Sequence, residues 1–239
     1  MENMRVNHCL KAGLLLLICS FALSSYSQQN TLTQKEKSEG WLLLFDGTTS
    51  AGWMKSNGRP FPERGWTISD GTITLDTTAK GGDIVTAGEY GSFELSVDYK
   101  IGPACNSGIK YFYTDYPKGG GLGMEYQVMD DQGASDNKLA NHLCGSLYDI
   151  FPPDETVKKV KPLGEWNTVR IVSKGKHVEH WLNGIKVLQF ERGDAAYLAA
   201  VQKSKYKTEP VFGMVEKGHI LLQDHGHTVS FRNIKIRKL

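Results

Sequence analysis

The chain contains no apolar run long enough to cross a bilayer as a helix. Its longest apolar stretch, residues 12–23, is shorter than the roughly 20 residues that a transmembrane helix requires. A basic start precedes this stretch, and small residues at Ser25 and Ser27 follow it, which is the pattern of a cleaved secretory signal. We therefore expect residues 1–27 to be removed at Ser27-Gln28 and the protein to be exported, either periplasmic or secreted.

Cysteine is scarce, with 4 residues in a chain of 239. Attachment of a lipid at Cys19 is disfavoured because the preceding Ile18 is bulkier than the small residue that such sites favour. After the signal only Cys105 and Cys144 remain. In an oxidising compartment these two can form a disulfide, and two buried thiols fit the sequence equally well.

Neither sign of charge dominates, since 28 basic residues face 26 acidic ones and the net charge is +2. No basic stripe interleaved with aromatic residues is present, which argues against a nucleic-acid partner. Helical patterns are also few. Only residues 193–206 predict a helix, which we expect to be short and peripheral with Asp194 as its N-cap.

Strand patterns are abundant, and 26 glycines supply turns between them. In residues 92–100, apolar and polar side chains alternate, as in a sheet that is buried on one side. The segments that predict strands are 41–46, 65–70, 72–76, 83–87, 92–101, 108–114, 124–130, 165–174, 176–183, 185–190, 219–224 and 228–239. This pattern predicts an all-β fold, a two-sheet antiparallel β-sandwich of the jelly-roll type.

The domain organisation follows from the same pattern. Residues 28–40 are polar and contain no aromatic side chain, and we expect them to be a flexible lead-in. Residues 41–239 then form a single domain of ordinary sandwich size.

Several segments of this domain resemble, in order, the 3-keto-disaccharide hydrolase family. They are GWLLLFDGTTSAGW (40–53), CNSGIKYFYTD (105–115), GMEYQVMDD (123–131), GSLYDIFPP (145–153), GEWNTVRIV (164–172), HWLNGIKV (180–187) and GHILLQDHGHTVSFRNIKIRKL (218–239). The resemblance implies a concanavalin A-like sandwich that cleaves glycosides already oxidised to a ketone at C3 of one sugar. A C3 ketone acidifies the C2 hydrogen, so that a base can remove it and the enolate can expel the group at C1. Such a site requires a base, an acid, and donors or a cation for the enolate oxygen.

The segment 123–130 carries the candidate base. In an extended strand Glu125 and Gln127 lie on the same face, whereas Asp130 faces away unless the strand bulges. We expect Glu125 to be the base and Gln127 to bind the sugar, with Asp130 as a possible further site residue. The alternative is that the polar side chains only mark an exposed strand face.

The three residues also keep the spacing of the E-x-D-x-x-E signature of retaining β-glucanases. Two of the three residue types differ, however, and an amide stands where the middle carboxylate would be. A retaining pair needs two carboxyl groups about 5–5.5 Å apart. Direct displacement at C1 is therefore the weaker interpretation.

A second cluster of polar residues lies in 221–233. His225 is the candidate general acid or base because imidazole exchanges protons near neutral pH. Gln223 is a candidate for sugar binding, and Asp224 and His227 are possible further members. A hairpin closed by Asp and His side chains is the alternative. The two histidines with a carboxylate also leave a divalent metal open, although H-x-H without a third ligand is weak support and no cofactor is predicted.

Four other residues are candidates for substrate binding. His142 and Tyr148 belong to a long segment that we expect to border the groove. Asn106 can bind a hydroxyl or begin a turn, and Trp181 can stack on a sugar or pack in the core. The expected partner is a small carbohydrate, and the oligomeric state is left open. The alternative function is a carbohydrate-binding module without catalysis, since a sandwich fold alone does not separate the two.

Overall fold

The computed structural model describes Met1 and residues 29–117, 120–209 and 211–239. The predicted signal peptide and Cys19 therefore lie outside the described residues. The strands are β1 (Leu42–Leu43), β2 (Trp53–Lys55), β3 (Trp66–Ser69), β4 (Thr72–Leu75), β5 (Ile84–Thr86), β6 (Phe93–Ile101), β7 (Asn106–Asp115), β8 (Gly121–Met129), β9 (Asn167–Lys174), β10 (His177–Leu182), β11 (Ile185–Glu191), β12 (His219–Leu222) and β13 (Val229–Lys238). The helices are α1 (Gln34–Ser38), α2 (Ala195–Lys203) and a 3-10 turn (Ala140–His142).

These strands form two sheets. The larger has the order β11-β10-β9-β6-β13-β4-β3, with β1 also paired to β13, and the smaller has the order β2-β5-β12-β7-β8. Every strand pair is antiparallel. The predicted all-β, two-sheet antiparallel sandwich is confirmed.

The core lies between the sheets and follows the predicted alternation. On β6 the side chains of Phe93, Leu95, Val97 and Tyr99 are fully buried. Partners from the smaller sheet, such as Tyr126, belong to the same apolar cluster. Each sheet therefore turns one face to the core, and the opposite face of the smaller sheet can carry a binding or catalytic site.

One core residue is a histidine. His180 on β10 is fully buried, and its Nδ1 donates to the carbonyl oxygen of Gly145 at 3.0 Å. Its Nε2 is therefore free to accept from the hydroxyl of Tyr111 at 2.8 Å. Burial lowers the pKa of His180 to about 4, so the ring is neutral at physiological pH.

Xaa-Gly pairs form the turns between β3 and β4 and between β10 and β11. Asp70 and Gly71 have φ values of 49° and 71°, and Asn183 and Gly184 have values of 50° and 82°. Two successive residues with positive φ are typical of the type I′ turn, whose twist matches that of the flanking strands.

The polar segment before Trp41 differs from the expectation of a flexible lead-in. It contains α1, whose Thr33 and Glu36 form a reciprocal capping box. Upstream, the backbone NH of Asn30 donates to Oδ1 of Asn233 at 2.7 Å, and Oδ1 of Asn30 accepts from the backbone NH of Asn233 at 2.8 Å. These long-range bonds tie the segment to β13, a pairing that local composition does not reveal.

Two strands differ from the sequence-based prediction in their extent. Strand β1 is two residues long, and β2 was not predicted because its three residues lie between turns. The predicted helix is present as α2, with the Asp194 side chain accepting from the backbone NH of Tyr197 at 2.7 Å. Among the described residues, no helix is both long and apolar enough to cross a membrane.

Cys105 and Cys144 are buried and unpaired. The hydroxyl of Tyr99 lies 3.2 Å from Sγ of Cys144. Burial raises the pKa of Cys105 to about 12 and that of Cys144 to about 11. Of the two alternatives that the sequence left open, the structure has the buried thiols.

Candidate active site

The site lies on the outer face of the smaller sheet. On β8, Tyr126 points into the core, so Glu125 and Gln127 point away from it. Across the ladder, Glu125 is opposite Lys110 and Gln127 is opposite Gly108, both on β7. The predicted sharing of one strand face by Glu125 and Gln127 is therefore present.

The two side chains are nevertheless buried, at 4% exposure for Glu125 and 0% for Gln127. The chain that follows β8 returns along its free edge. The backbone NH of Tyr148 donates to the carbonyl oxygen of Glu125 at 3.0 Å, and the NH of Gly145 donates to that of Gln127 at 2.9 Å. Residues 145–148 thus act as an extra strand along this edge, beside the residue that carries the buried carboxylate.

A glycine makes room for the carboxylate. A Cβ at Gly108 would lie 2.3 Å from Oε1 of Glu125 and 2.9 Å from its Cδ. The Glu125 side chain therefore lies across β7 directly over Gly108, a position that any larger residue would obstruct.

Burial and the neighbouring charges act in opposite directions on the pKa of Glu125. Nζ of Lys110 lies 3.7 Å from Oε2 of Glu125. Burial raises the pKa of Glu125 above its ordinary value of 4.5, and the charges of Lys110 and then Lys205 oppose that rise. A carboxylate in such surroundings is a stronger base than one in water and is a functional-site candidate.

Asp83 is a second carboxylate of this cluster. It is half-buried beside β5 and accepts from the backbone NH of Asp224 at 2.8 Å. Burial raises the pKa of Asp83, and Lys110 and His225 act in the opposite direction. The charge of His225 also lowers the pKa of Glu125. Glu125 and His225 are therefore within electrostatic reach of each other.

Two amide side chains beside Glu125 have unused acceptors. Nε2 of Gln127 donates to Oδ1 of Asn106 at 3.1 Å, whereas Oε1 of Gln127 is buried without a partner. On the other side of Gly108, Oε1 of Gln223 is also buried without a partner, although its backbone NH binds the Gly108 carbonyl oxygen at 3.0 Å. Buried polar atoms are rarely left unsatisfied, so these two oxygens are suited to accept from the hydroxyl groups of a ligand.

The segment over this face holds His142 and Tyr148 in one hydrogen-bond network. Nδ1 of His142 lies 2.8 Å from Oδ1 of Asp136, and its Nε2 lies 3.2 Å from Oδ1 of Asp149. The hydroxyl of Tyr148 donates to Oδ2 of Asp136 at 2.8 Å. The second oxygen of Asp149 accepts from the backbone NH of Lys205 at 2.7 Å. This network fixes the border of the site.

Two of the predicted carboxylates bind backbone amides of nearby loops. The carboxylate of Asp130 accepts from the backbone NH of Ala104 at 2.9 Å and of Gln132 at 3.1 Å, and so closes a loop. Oδ2 of Asp224 accepts from the backbone NH groups of Gly81 and Gly82, at 3.1 and 2.8 Å. The carboxylate of Asp224 therefore supports the loop that leads to Asp83.

Trp181 is on the wrong sheet to be a platform for this site. His180, its neighbour on β10, faces the core, so Trp181 faces outward from the larger sheet. The guanidinium of Arg170 covers its ring at 3.9 Å, and its indole NH donates to Glu179 at 2.8 Å. The sequence could not determine which face of β10 was buried.

His227 lies beside His225 with the two rings nearly parallel and their centroids 6.0 Å apart. Nδ1 of His227 is buried without a partner. In the part of the chain that the structure describes, no three His, Cys, Asp or Glu side chains are grouped to hold a metal ion. The carboxylate of Asp224, which precedes His225 in the sequence, is bonded to backbone amides.

Sequence reasoning missed Lys110, Lys205 and Asp83. Alternation in the predicted strand 108–114 places Lys110 opposite the core face, but its position across from Glu125 depends on strand pairing. Lys205 follows α2 and Asp83 precedes β5, so neither shares a local pattern with Glu125. No signal short of the folded topology brings them together.

The fold and the cluster define a class of protein. A β-sandwich carries, on one outer face, a buried carboxylate next to lysines and unpaired amide acceptors, a set suited to binding and proton transfer on a polyhydroxylated molecule. Residues 40–237 match the model of the 3-keto-alpha-glucoside-1,2-lyase-like domain family, and the chain belongs to that family. The predicted resemblance is confirmed.

Known relatives of the chain are consistent with this family assignment. The chain is 30% identical to a 3-keto-disaccharide hydrolase of Bacteroides thetaiotaomicron, over 89% of this chain and 83% of the relative. A crystal structure of a candidate glycosyl hydrolase from Parabacteroides distasonis has a TM-score of 0.80 at 35% identity, covering 89% of this chain and all 100% of that one. A second such protein from the same organism has a TM-score of 0.59 at 30% identity, covering 73% and 90%. Together, the family and these relatives support a glycoside-cleaving function.

Proposed function

We propose that this protein cleaves 3-keto-disaccharides and related 3-keto-glycosides, with Glu125 as the base that removes the C2 proton. The observation that carries the proposal is the position of Glu125: it is buried, its pKa is raised by that burial, and Lys110 lies 3.7 Å away. The similarity to a 3-keto-disaccharide hydrolase supports the substrate class.

The reaction has two stages. Glu125 takes the C2 proton, the C2–H electrons form a C2=C3 bond, and the C3 carbonyl electrons move to its oxygen as an enolate. The carbonyl then reforms, a C1=C2 bond forms, and the C1–O bond to the leaving sugar breaks, with a proton passing to the departing oxygen. Addition of water across C1=C2, with hydroxyl to C1 and hydrogen to C2, completes a net hydrolysis. Release before this addition is a lyase outcome.

In this proposal His225 supplies the proton to the departing oxygen. His225 is exposed in the segment just beyond the end of β12, and its charge lowers the pKa of Glu125. Imidazole is suited to this role because it gains and loses protons near neutral pH. Gln127 and Gln223 accept from sugar hydroxyls through their unpaired oxygens.

Direct displacement at C1 has less support. It would need a second carboxylate at a set separation from Glu125. Gln127 carries no charge, and Asp130 is bonded to the backbone of Ala104 and Gln132. The segment that carries Glu125 therefore supplies no second carboxylate, and the other carboxylate of the cluster, Asp83, already accepts from the backbone NH of Asp224.

The second candidate is a carbohydrate-binding module, which the free oxygens of Gln127 and Gln223 would also suit. The test is incubation of the purified protein with a 3-keto-disaccharide and, separately, with its unoxidised parent. Cleavage of the oxidised sugar alone supports the enzyme, and binding without turnover of either sugar supports the module. Glu125→Gln should retain sugar binding and lose about 10²-fold or more in turnover, the usual scale for a general base.

A further inference from the structure

The ammonium group of Lys205 lies over two aromatic rings at the border of the site. Its Nζ lies 4.2 Å from the centre of the Tyr148 ring and 5.1 Å from that of Tyr206. Within the described residues, no carboxylate oxygen comes within the 4.0 Å of an ion pair with this nitrogen. Aromatic faces attract a cation without using its N–H donors, so those donors remain available to a ligand.

The backbone of Lys205 is held by the network at the border of the site. Its NH donates to Asp149, and Asp149 has a φ of 62°, in the left-handed region that a non-glycine residue rarely adopts. Such a conformation persists where surrounding contacts determine it. The Tyr148 ring below the ammonium is in turn fixed by Asp136 and lies 4.5 Å from the His142 ring. Several contacts thus fix the position of the Lys205 ammonium group.

Lys205 lies close to the strand that carries Glu125, because its ammonium is 4.2 Å from the ring centre of Tyr148, whose backbone NH donates to the carbonyl oxygen of Glu125 at 3.0 Å. Of the groups that act on that carboxylate, Lys205 is second only to Lys110 among the cations. Lys110 already forms an ion pair with Glu125 across the ladder, with its Nζ 3.7 Å from Oε2 of Glu125. Lys205 is therefore a cation that can bind a substrate atom while Glu125 acts on a neighbouring one.

We propose that Lys205 binds the C3 keto oxygen and stabilises the enolate that forms when Glu125 removes the C2 proton. The inference rests on the proposed function, because only an oxidised sugar presents an oxygen on which negative charge develops next to C2. The electrons of the broken C2–H bond end on this oxygen, and the proton goes to Glu125. A fixed cation at such a point stabilises the transition state more than the ground state.

The test compares Lys205→Met, Lys205→Arg and, as a matched control, Lys207→Met, an exposed lysine two residues further on. Each variant is assayed on a 3-keto-disaccharide and on a nitrophenyl 3-keto-glucoside, whose phenolate departs without needing a proton. Lys205→Met should lose about 10²–10³-fold in kcat/KM on both substrates, as when an oxyanion-stabilising group is removed. Lys205→Arg should recover part of this loss because it keeps the charge, and Lys207→Met should match the wild type.

Three results overturn the inference. One is a Lys205→Met enzyme as active as Lys207→Met. Another is a loss that disappears on the nitrophenyl substrate, because Lys205 would then protonate the leaving group. The third is equal loss in Lys205→Arg and Lys205→Met with unchanged unfolding temperatures, which would remove charge as the cause. Failure of the wild type to cleave either keto substrate would instead contradict the proposed function.

Discussion

Replacing Gly108 by alanine tests whether the exact position of Glu125 matters. An added Cβ would lie 2.3 Å from Oε1 of Glu125, whereas real Cβ contacts essentially never fall below 3.0 Å and ordinarily exceed 3.4 Å. The carboxylate must retreat by about 1 Å, and a displacement of that size costs about 10²-fold in rate when the geometry is catalytic. We expect kcat of Gly108→Ala to fall by about that factor.

The fold should tolerate this change, because the group that must move is the end of a flexible side chain and alanine also restricts the unfolded chain. The assay is kcat on a 3-keto-disaccharide, together with the unfolding temperature. Gly102→Ala is the control, since its Cβ would meet nothing closer than the Thr228 Cβ at 3.7 Å. In a Glu125→Gln background, Gly108→Ala should have little further effect because both changes act on one group. A folded Gly108→Ala enzyme with wild-type kcat would refute the assigned role of Glu125.

Three other predictions concern pH, the larger sheet and the thiols. Since the base must be ionised and burial raises the pKa of Glu125, kcat/KM should decline as the pH falls, with a midpoint above 4.5. Lys110→Met should move this midpoint to still higher pH because Lys110 lowers the pKa of Glu125. An unchanged midpoint would show that Lys110 does not act on the group that titrates. Trp181→Ala should keep the wild-type kcat/KM, because Trp181 lies on the other sheet. A loss of about 10-fold or more in kcat/KM would show that Trp181 does contribute to the site. Cys105 and Cys144, buried and with raised pKa values, should react with a thiol reagent only after unfolding, and rapid labelling of the native protein would contradict their burial.

The fold was predictable because several long strands, such as β6 and β9, have a clear period of two. The alternation in β6 and the glycine turns at 71 and 184 determine which residues are buried and where hairpins close. By contrast, β2 is too short for a period to show, and the segment before Trp41 is ordered by bonds to Asn233, about 200 residues away in sequence.

The site was predictable only within single strands. Spacing placed Glu125 and Gln127 on one face, because that depends on local backbone geometry alone. Which face of β10 carries Trp181, and which lysines approach Glu125, depend on how distant segments pair. Asp130 and Asp224 show the same limit, since a carboxylate that binds backbone amides and one that binds a ligand look alike in a sequence.

The most direct test of the account follows the C2 hydrogen of the substrate. The protein is incubated with a 3-keto-disaccharide in D₂O, and the released keto sugar is analysed by NMR, with the free keto sugar in the same buffer as the control for spontaneous exchange. Removal of the C2 proton predicts a product that carries deuterium at C2 beyond the control, or an unsaturated product without that hydrogen. Cleavage that leaves the original hydrogen on C2 would contradict the account.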